Sequence, residues 1–322
     1  MKRTDRPPSY YPPPGPRAAQ PPQVVERLQP VRVPRPPQRS GRSGSASSGP
    51  CACLLAVVLA AGLLLLLVVG AYFLAPSRTN FLVLGIDRVP EGTALGRSDT
   101  MILVSVIPLR PDVTLLSIPR DLWVTIPGVG ENRINTAHFF AEANQAGSGP
   151  DAAVQTVETT FGVSVPYYVR LRFDAFLSIV DAMGGVTVNL PEDMAGLPAG
   201  EHHLDGSQAL AFVRDRQGAD DFYRMEHAQL MVRAIMIQML KLATWPRLPA
   251  VLAAGLSSID TNLPIWLWPR LGLALLRASI GGFDSHTISR ELVTPYTTEG
   301  GAAVLLPNWD LIHPLVRKLF GD

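Results

Sequence analysis

One apolar run near the N-terminus constrains this chain more than any other feature. Residues 51–75 carry no charged side chain, and residues 54–69 are leucine, valine, alanine and glycine. A helix of that length, at about 1.5 Å per residue, covers the roughly 30 Å hydrocarbon layer of a bilayer. Fifty residues precede the run, which favours an uncleaved transmembrane helix over a cleaved signal peptide.

Charge is distributed unevenly on the two sides of this run. Residues 1–50 hold nine Lys/Arg against two acidic residues, a net +7, whereas residues 76–322 hold 19 against 25, a net −6. The positive-inside rule therefore predicts a single-pass plasma-membrane protein with a cytoplasmic N-terminus and an extracytoplasmic C-terminal domain. An acidic domain is poorly suited to neutralising phosphate backbones, so no nucleic-acid partner is expected.

Composition divides the chain into three predicted segments. Residues 1–50 are rich in Pro, Arg and Ser with few large aliphatic residues, which predicts a disordered basic cytoplasmic tail. Residues 51–75 form the membrane helix, and residues 76–322 form one extracytoplasmic domain joined to it by a short linker. The chain has two cysteines, Cys51 and Cys53, so the outer domain is expected to fold without disulfides.

Alternating apolar patterns in the outer domain predict an α/β fold. The predicted strands are 80–86, 100–107, 113–118, 167–171 and 186–190; the first three are continuously apolar, which is typical of strands buried on both faces. The predicted helices are 152–161, 176–183, 205–212, 221–242 and one opened by Asn262 as N-cap with Pro264 in its first turn. The simplest fold is a three-layer α-β-α domain with a central mixed sheet.

Charged residues recur where the predicted strands end, which is where ligands bind in open α/β sheets. Asp87 follows the first strand, Arg97 and Asp99 precede the second, and Arg120 follows the third. Several guanidinium groups fit the oxygens of a pyrophosphate, and carboxylates hold Mg²⁺. From spacing alone, arginines and aspartates that are solvated or paired with one another remain the more ordinary interpretation.

Seven motifs occur in order along the chain. They are LGIDR (84–88), GRSDTMILVSV (96–106), SIPRDLWVTIPG (117–128), RINTAH (133–138), VDAMGGV (180–186), LDGSQALAFVRDR (204–216) and DFYR (221–224). Together they resemble the LytR-CpsA-Psr family over residues 80–245, with a weaker match in TNLP (261–264) and VLLPNW (304–309). Members of that family share the topology predicted here: a short cytoplasmic tail, one membrane helix and an external domain.

The resemblance implies a transferase that moves a glycopolymer from a polyprenyl-pyrophosphate carrier to a peptidoglycan hydroxyl, forming a phosphodiester. It implies Asp87 and Asp99 as Mg²⁺ ligands, and Asp99, Arg120 and Asp221 as catalytic residues. The implied phosphate-binding residues are Arg97, Arg120, Arg133, Arg214, Arg216 and Arg224. A salt bridge is an equal alternative for Arg133. An apolar channel is implied for the polyprenyl tail, with Met231, Ile235 and Met239 as candidates for its wall or for ordinary core.

Two positions depart from the family pattern. His227, Ala228 and Gln229 stand where Arg-Gln-Gln is common, and Tyr223 stands where Gly is frequent. These differences affect the expected geometry near the acceptor rather than the arginines that are implied to bind phosphate. Two alternatives stay open: hydrolysis of the polyprenyl pyrophosphate, and a non-catalytic lipid-pyrophosphate binder or cell-envelope regulator.

Overall fold

A computed structural model describes residues 50–75, 77–86, 95–107, 113–215 and 221–321. The predicted tail, apart from Pro50, lies outside the described residues. The first helix, α1, spans Pro50–Leu74, and its segment Leu54–Leu74 is long and apolar enough to cross a membrane. None of that segment is buried by protein, as expected for a helix surrounded by lipid.

Twelve strands are present in the described part of the chain. They are β1 (Thr79–Ile86), β2 (Ser98–Val106), β3 (Val113–Ser117), β4 (Trp123–Ile126), β5 (Gly130–Arg133), β6 (Tyr167–Arg172), β7 (Val186–Leu190), β8 (Gly200–Leu204), β9 (Ile259–Thr261), β10 (Phe283–Thr287), β11 (Val293–Thr297) and β12 (Ala303–Pro307). The central sheet has the order β10-β3-β2-β1-β6-β9. Its β1–β6 and β3–β10 pairs are parallel and the others antiparallel, so the predicted mixed sheet is confirmed.

The remaining helices cover this sheet or extend from it. They are α2 (Thr136–Asn144), α3 (Gly149–Phe161), α4 (Phe173–Met183), α5 (Gly206–Arg214), α6 (Asp221–Leu240), α7 (Leu248–Ser258), α8 (Trp268–Gly281) and α9 (Trp309–Phe320), with 3-10 helices at Leu242–Arg247, Ile265–Leu267 and Arg290–Leu292. The predicted long helix from Asp221 is confirmed, and it ends two residues earlier than expected.

The central strands are apolar throughout because helices cover both of their faces. Along β1, Leu82, Leu84 and Ile86 point into a core shared with α3 and α9. Phe81 points to the opposite face, into a core that includes Ala228 of α6 and Ala274 of α8. The alternation follows from the two-residue repeat of a strand, and it confirms the three-layer α-β-α prediction.

The prediction that Asn262 caps a helix is wrong. Its side-chain oxygen accepts a hydrogen bond from the Tyr168 N–H at 2.8 Å, and its amide donates to the Pro166 carbonyl at 3.1 Å. Asn262 therefore ties the end of β9 to the start of β6, and α8 begins only at Trp268, after a 3-10 turn. Tertiary contacts outcompete local capping because they satisfy both polar ends of the amide.

Candidate functional site

Three strand ends meet at one edge of the central sheet. The end of β1 pairs with the start of β2, since Ile86 lies opposite Ser98. β3 runs antiparallel to β2 and places Ser117 opposite Ile102, so the Pro-Arg-Asp segment that follows β3 reaches the same edge. Asp99 and Arg120, which the sequence places beside predicted strand ends, meet at this edge, whereas Asp87 lies outside the described residues.

A chain of ion pairs forms at this edge. Arg120 Nη1 lies 3.0 Å from Asp99 Oδ1, and Arg120 Nε lies 3.7 Å from Asp121 Oδ2. Arg133 Nε lies 3.1 Å from the other oxygen of Asp121. The side chains of Asp99, Arg120 and Asp121 are 17–27% exposed, so the cluster is open to solvent and able to exchange partners with an anion.

Helix α6 closes the other side of this edge and leaves a narrow cleft. Arg224, Met225 and Ala228 of α6 face Asp99 and Arg120 across it. The free volume is about 10 Å³, room for about one water molecule, so a phosphate entering here would take the place of an existing ion-pair partner. We call these residues the charged cleft.

Gly85 allows β1 and β2 to pack closely beside the charged cleft. A Cβ atom at this position would lie 2.9 Å from the Cβ of Thr100, which itself lines the cleft, and Phe173 lies next to it. Only a glycine allows β1 and β2 to approach so closely there. This explains the Gly of the LGIDR motif by packing rather than by backbone dihedral.

The remaining predicted arginines are distributed around the cleft. Arg97 is exposed just before β2, and the guanidinium of Arg214 lies 4.6 Å from the centre of the Phe173 ring. Arg214 is the last residue of helix α5, which extends two residues beyond the predicted helix 205–212. Arg216 and the side chain of Asp221 lie outside what the structure describes.

The structure defines the roles of Arg133, for which the sequence allowed two interpretations, and of Asp121, to which the sequence assigned no role. Arg133 makes the salt bridge that was the alternative to a phosphate contact, and its Nη2 also donates to the Ala303 carbonyl at 2.8 Å. Asp121 joins Arg120 to Arg133 and so orders both guanidinium groups. The signal for Asp121 was its position directly after Arg120 in the Pro-Arg-Asp motif.

The positions that depart from the family pattern lie on α6. His227 is buried, its ring 4.6 Å from that of Phe212, and burial lowers the pKa of its imidazole. Ala228 faces the charged cleft, and Gln229 points away and donates to the His286 carbonyl at 2.6 Å. No cationic side chain therefore comes from positions 227–229, so Arg224 is the cation that α6 provides to the cleft.

A separate apolar cavity of about 400 Å³ lies beyond the cleft along the same helix. Its walls come from β6, α4, α6, α7 and α8, and they are almost entirely aliphatic and aromatic. Of the three candidate wall residues, Ile235 and Met239 line the cavity, whereas Met231 is buried in the neighbouring core. The volume falls within the range of small-molecule binding sites.

The donor set for Mg²⁺ is incomplete in the described part of the chain. Within those residues no group of three or more His, Cys, Asp or Glu side chains is placed to hold a metal. Asp99 supplies one carboxylate at the cleft, and Mg²⁺ commonly binds through one or two carboxylates together with substrate phosphates and water. Asp99 fits that pattern as a single protein ligand.

Comparison with known proteins gives consistent matches. The family model described as LytR_cpsA_psr matches residues 74–306. A polyisoprenyl-teichoic acid--peptidoglycan teichoic acid transferase TagU of Oceanobacillus iheyensis is 37% identical over 190 residues, which are 57% of this chain and 58% of that protein. Regulatory protein MsrR of Staphylococcus aureus is 28% identical over 195 residues, 58% of this chain and 57% of that protein.

Solved structures show the same fold. A structure titled "TagT bound to LI-WTA" superposes with a TM-score of 0.61 at 25% identity and covers 77% of this chain and 92% of that one. The matched region spans just under three fifths of the curated relatives' own length. Since the family model matches well over half of the residues, the chain belongs to the LytR_cpsA_psr family.

Proposed function

We propose that this protein transfers a glycopolymer from a polyprenyl-pyrophosphate carrier to a hydroxyl of peptidoglycan. One observation carries the proposal: helix α6 borders both the charged cleft, through Arg224, and the apolar cavity, through Ile235. Eleven residues separate the two, about 16 Å along a helix. A polyprenyl pyrophosphate needs this combination because its anionic head is covalently joined to a long hydrocarbon tail.

The phosphate-binding role falls to arginines around the cleft. Arg120 and Arg224 face the space directly, and a guanidinium binds phosphate oxygens in a bidentate manner that an ammonium does not reproduce. Arg120 would exchange its contact with Asp99 for the incoming phosphate. The other proposed phosphate ligands are Arg97, Arg133, Arg214 and Arg216.

Mg²⁺ is proposed as the cofactor, with Asp99 and Asp87 as its protein ligands. The metal would neutralise charge on the pyrophosphate oxygens. Asp99 then serves two purposes, because it orients Arg120 in the absence of substrate and offers a carboxylate oxygen once Arg120 has moved to the phosphate.

In the proposed reaction, a sugar hydroxyl oxygen of peptidoglycan attacks the phosphorus that carries the glycopolymer. The bond between that phosphorus and the bridging oxygen breaks, polyprenyl phosphate leaves, and the glycopolymer remains attached through a phosphodiester. The hydroxyl proton passes to a base, for which Asp221 at the start of α6 is the candidate. The arginines act by stabilising charge on the transferring phosphoryl group.

A second groove suggests where the acceptor approaches. It measures about 420 Å³, shares Asp121 with the ion-pair chain, and is lined by Phe222, Arg290 and the β11–β12 hairpin, including the exposed ring of Tyr296. An aromatic face beside charged groups is suited to a sugar ring with its hydroxyls. We place the peptidoglycan acceptor in this groove.

The names of relatives support this assignment. The TagU relative is named as a transferase of teichoic acid to peptidoglycan, and the TagT structure is titled as bound to LI-WTA. The basic 1–50 segment supports a cytoplasmic N-terminus with the domain outside, where peptidoglycan lies. The MsrR relative is named a regulatory protein, which supports one rival: lipid-pyrophosphate binding without turnover.

The test uses the full chain in lipid vesicles with a lipid-linked glycopolymer and peptidoglycan fragments. We expect Asp99→Ala and Arg120→Ala each to lower the rate of attachment by about 10²–10³-fold, the loss typical when one group that stabilises developing charge is removed. Lys318→Ala is the control, since Lys318 is exposed on α9 beside Leu319, whose carbonyl accepts a hydrogen bond from Arg78 just before β1, at the end of that strand opposite the cleft. Unchanged attachment in both cleft variants would refute the proposal.

Analysis of the reaction products distinguishes transfer from hydrolysis and from binding without turnover. With peptidoglycan present, transfer yields a glycan–peptidoglycan phosphodiester together with polyprenyl phosphate. Hydrolysis would release the phosphorylated glycan at the same rate with or without peptidoglycan. Tight lipid binding with neither product would favour the regulatory binder.

A further inference from the structure

Large apolar side chains are exposed around the mouth of the apolar cavity. Trp268 and Leu252 line the cavity and are 38% and 45% exposed, so they mark its opening. Ile265 and Trp266, directly before Trp268, are 74% and 66% exposed, and Leu242 and Trp245 are exposed on the turn that leads into α7. We call these six residues the apolar rim.

The apolar rim is held at Trp266 against the end of helix α1. The Tyr72 hydroxyl, near the C-terminal end of α1, donates a hydrogen bond to the Trp266 carbonyl. Arg270, in the first turn of α8, donates to the Ala75 carbonyl at 2.9 Å and to Ser77 Oγ at 2.8 Å, and its guanidinium lies 5.5 Å from the centre of the Tyr72 ring. The rim is therefore located where the chain leaves the hydrocarbon layer.

The charge of this region differs from that of the rest of the domain. Residues 241–283 contain four Lys/Arg and one Asp, a net +3, within an outer domain whose net charge is −6. Tryptophan rings next to basic side chains are the composition found at the headgroup level of bilayers, especially those with anionic lipids.

From these observations we propose that the apolar rim is a membrane-docking surface that inserts into the outer leaflet of the bilayer crossed by α1. Inserted side chains at Ile265, Trp266 and Trp268 place the mouth of the cavity in contact with lipid. A hydrocarbon chain then passes from the bilayer into the cavity without crossing water. The docking itself depends on exposed apolar area and on the contact with α1, and it does not require the proposed transfer reaction.

Tryptophan fluorescence tests this directly. The chain has five tryptophans, and none lies in residues 51–75, so any quenching by bromine atoms on lipid tails reports contact between the outer domain and the bilayer. The full chain is reconstituted in vesicles of phosphatidylcholine and phosphatidylglycerol, with brominated or plain acyl chains. We expect brominated lipid to quench part of the emission, and W266F with W268F to remove most of that quenching.

The control is W309F, because Trp309 packs against Phe161 and His313 in the core on the other face of the sheet. Its replacement leaves the quenched component intact. Phenylalanine keeps the rim apolar, so the double variant retains docking and fold, which thermal unfolding monitored by circular dichroism verifies. Equal emission in brominated and plain vesicles would overturn the proposal, as would quenching in W266F/W268F as strong as in the wild type; the weaker quenching expected there comes from Trp245.

A second double variant tests whether insertion of apolar side chains into the bilayer causes the quenching. Ile265→Glu with Trp266→Glu should abolish the remaining quenching of Trp245 and Trp268, because carboxylates are expelled from the interface. If instead wild-type emission depends on the number of protein copies per vesicle and not on bromination, the rim contacts a second copy of the chain, and the membrane proposal is wrong.

Discussion

Two clusters of arginine and carboxylate side chains lie on the same sheet, and they differ in how completely the protein itself satisfies them. In the charged cleft, Arg120, Asp99 and Asp121 are 17–27% exposed. In the other cluster, Arg170 of β6 and Glu142 of α2 are 13% and 4% exposed, with their nitrogen and oxygen 3.1 Å apart. Arg170 also binds Asp260, whose side chain is 45% exposed, at 2.7 Å. We call Arg170, Glu142 and the neighbouring His138 the buried cluster.

The buried cluster is saturated by internal partners. Glu142 accepts hydrogen bonds from the N–H groups of Gly147 and Gly149 at 2.8 and 2.9 Å in addition to Arg170. His138 lies 2.9 Å from the Gly96 carbonyl through Nδ1 and 3.2 Å from Arg170 through Nε2. The carbonyl only accepts and the guanidinium only donates, so His138 is neutral with its proton on Nδ1.

The difference shows which arginines are available to a ligand. An ion pair enclosed by backbone donors and packed side chains holds the fold together, since every polar atom already has a partner. An ion pair at an open strand end can exchange partners with a phosphate. Both clusters pair Arg with Asp or Glu, so residue type alone does not separate them.

The largest expected effect is the loss of stability when the ion pair of the buried cluster is broken. We expect Arg170→Ala to lower the free energy of unfolding by about 3 kcal/mol or more, because it leaves the Glu142 carboxylate buried without its cation. Arg172→Ala, two residues along the same strand, should cost about 0–1 kcal/mol, because its pair with Asp174 is exposed. Denaturant unfolding of both variants checks this, and equal losses would show that the buried cluster is not the more structural one.

The next largest effect on stability is expected in β1, the strand that lies between the two clusters. Gly85 of β1 lies opposite Thr100 on the cleft side and Leu171 on the other. Gly85→Ala should cost about 1–3 kcal/mol, because its new Cβ would lie 2.9 Å from Thr100 Cβ. Gly272→Ala in α8 has open space around its Cβ, so its midpoint of denaturation should not fall. A Gly85→Ala variant as stable as wild type would contradict the close approach of β1 and β2.

Acidification should weaken the buried cluster by a smaller, graded amount. Burial lowers the pKa of the His138 imidazole below 6.5, so protonation favours the unfolded state and stability falls as the pH drops below about 6.5. Burial alone would raise the pKa of Glu142, but the N–H groups of Gly147 and Gly149 and the charge of Arg170 lower it below 4.5. Its contribution is therefore lost at lower pH still.

Thermal unfolding of the wild type between pH 7 and pH 4 measures this loss. His138→Gln should be less stable at pH 7 and show a flatter decline between pH 7 and pH 5, because glutamine has no proton to gain. A decline of the same steepness in the variant would place the titrating group elsewhere.

The smallest stability effect is expected in the cleft. Arg120→Ala should change the free energy of unfolding by about 1 kcal/mol or less, since its pairs with Asp99 and Asp121 are partly solvated. Chemical denaturation of Arg120→Ala, run alongside Arg170→Ala, gives the comparison. A loss as large as that of Arg170→Ala would mean that the cleft is a structural cluster as well.

Much of the fold was predictable from the sequence because its signals are local. The buried strands β1, β2 and β3 are continuous apolar runs, and the 20 residues of α6 include neither Gly nor Pro. Asn262 was misassigned because its polar contacts are with residues 166 and 168, which local pattern does not reveal. The predicted helix 205–212 is present as α5, which continues to Arg214.

The sequence by itself determined the long apolar helix, the layered α/β fold, the family motifs and the positions of Asp99 and Arg120 beside predicted strand ends. These depend on hydrophobic period, run length and strand order. Tertiary structure alone decided that Arg170 is enclosed and Arg120 is open, that Asp121 orders two arginines, and that an apolar cavity continues along α6 toward exposed tryptophans. Burial and partner choice depend on residues far apart in the chain, and for that reason they became visible only once the chain was folded.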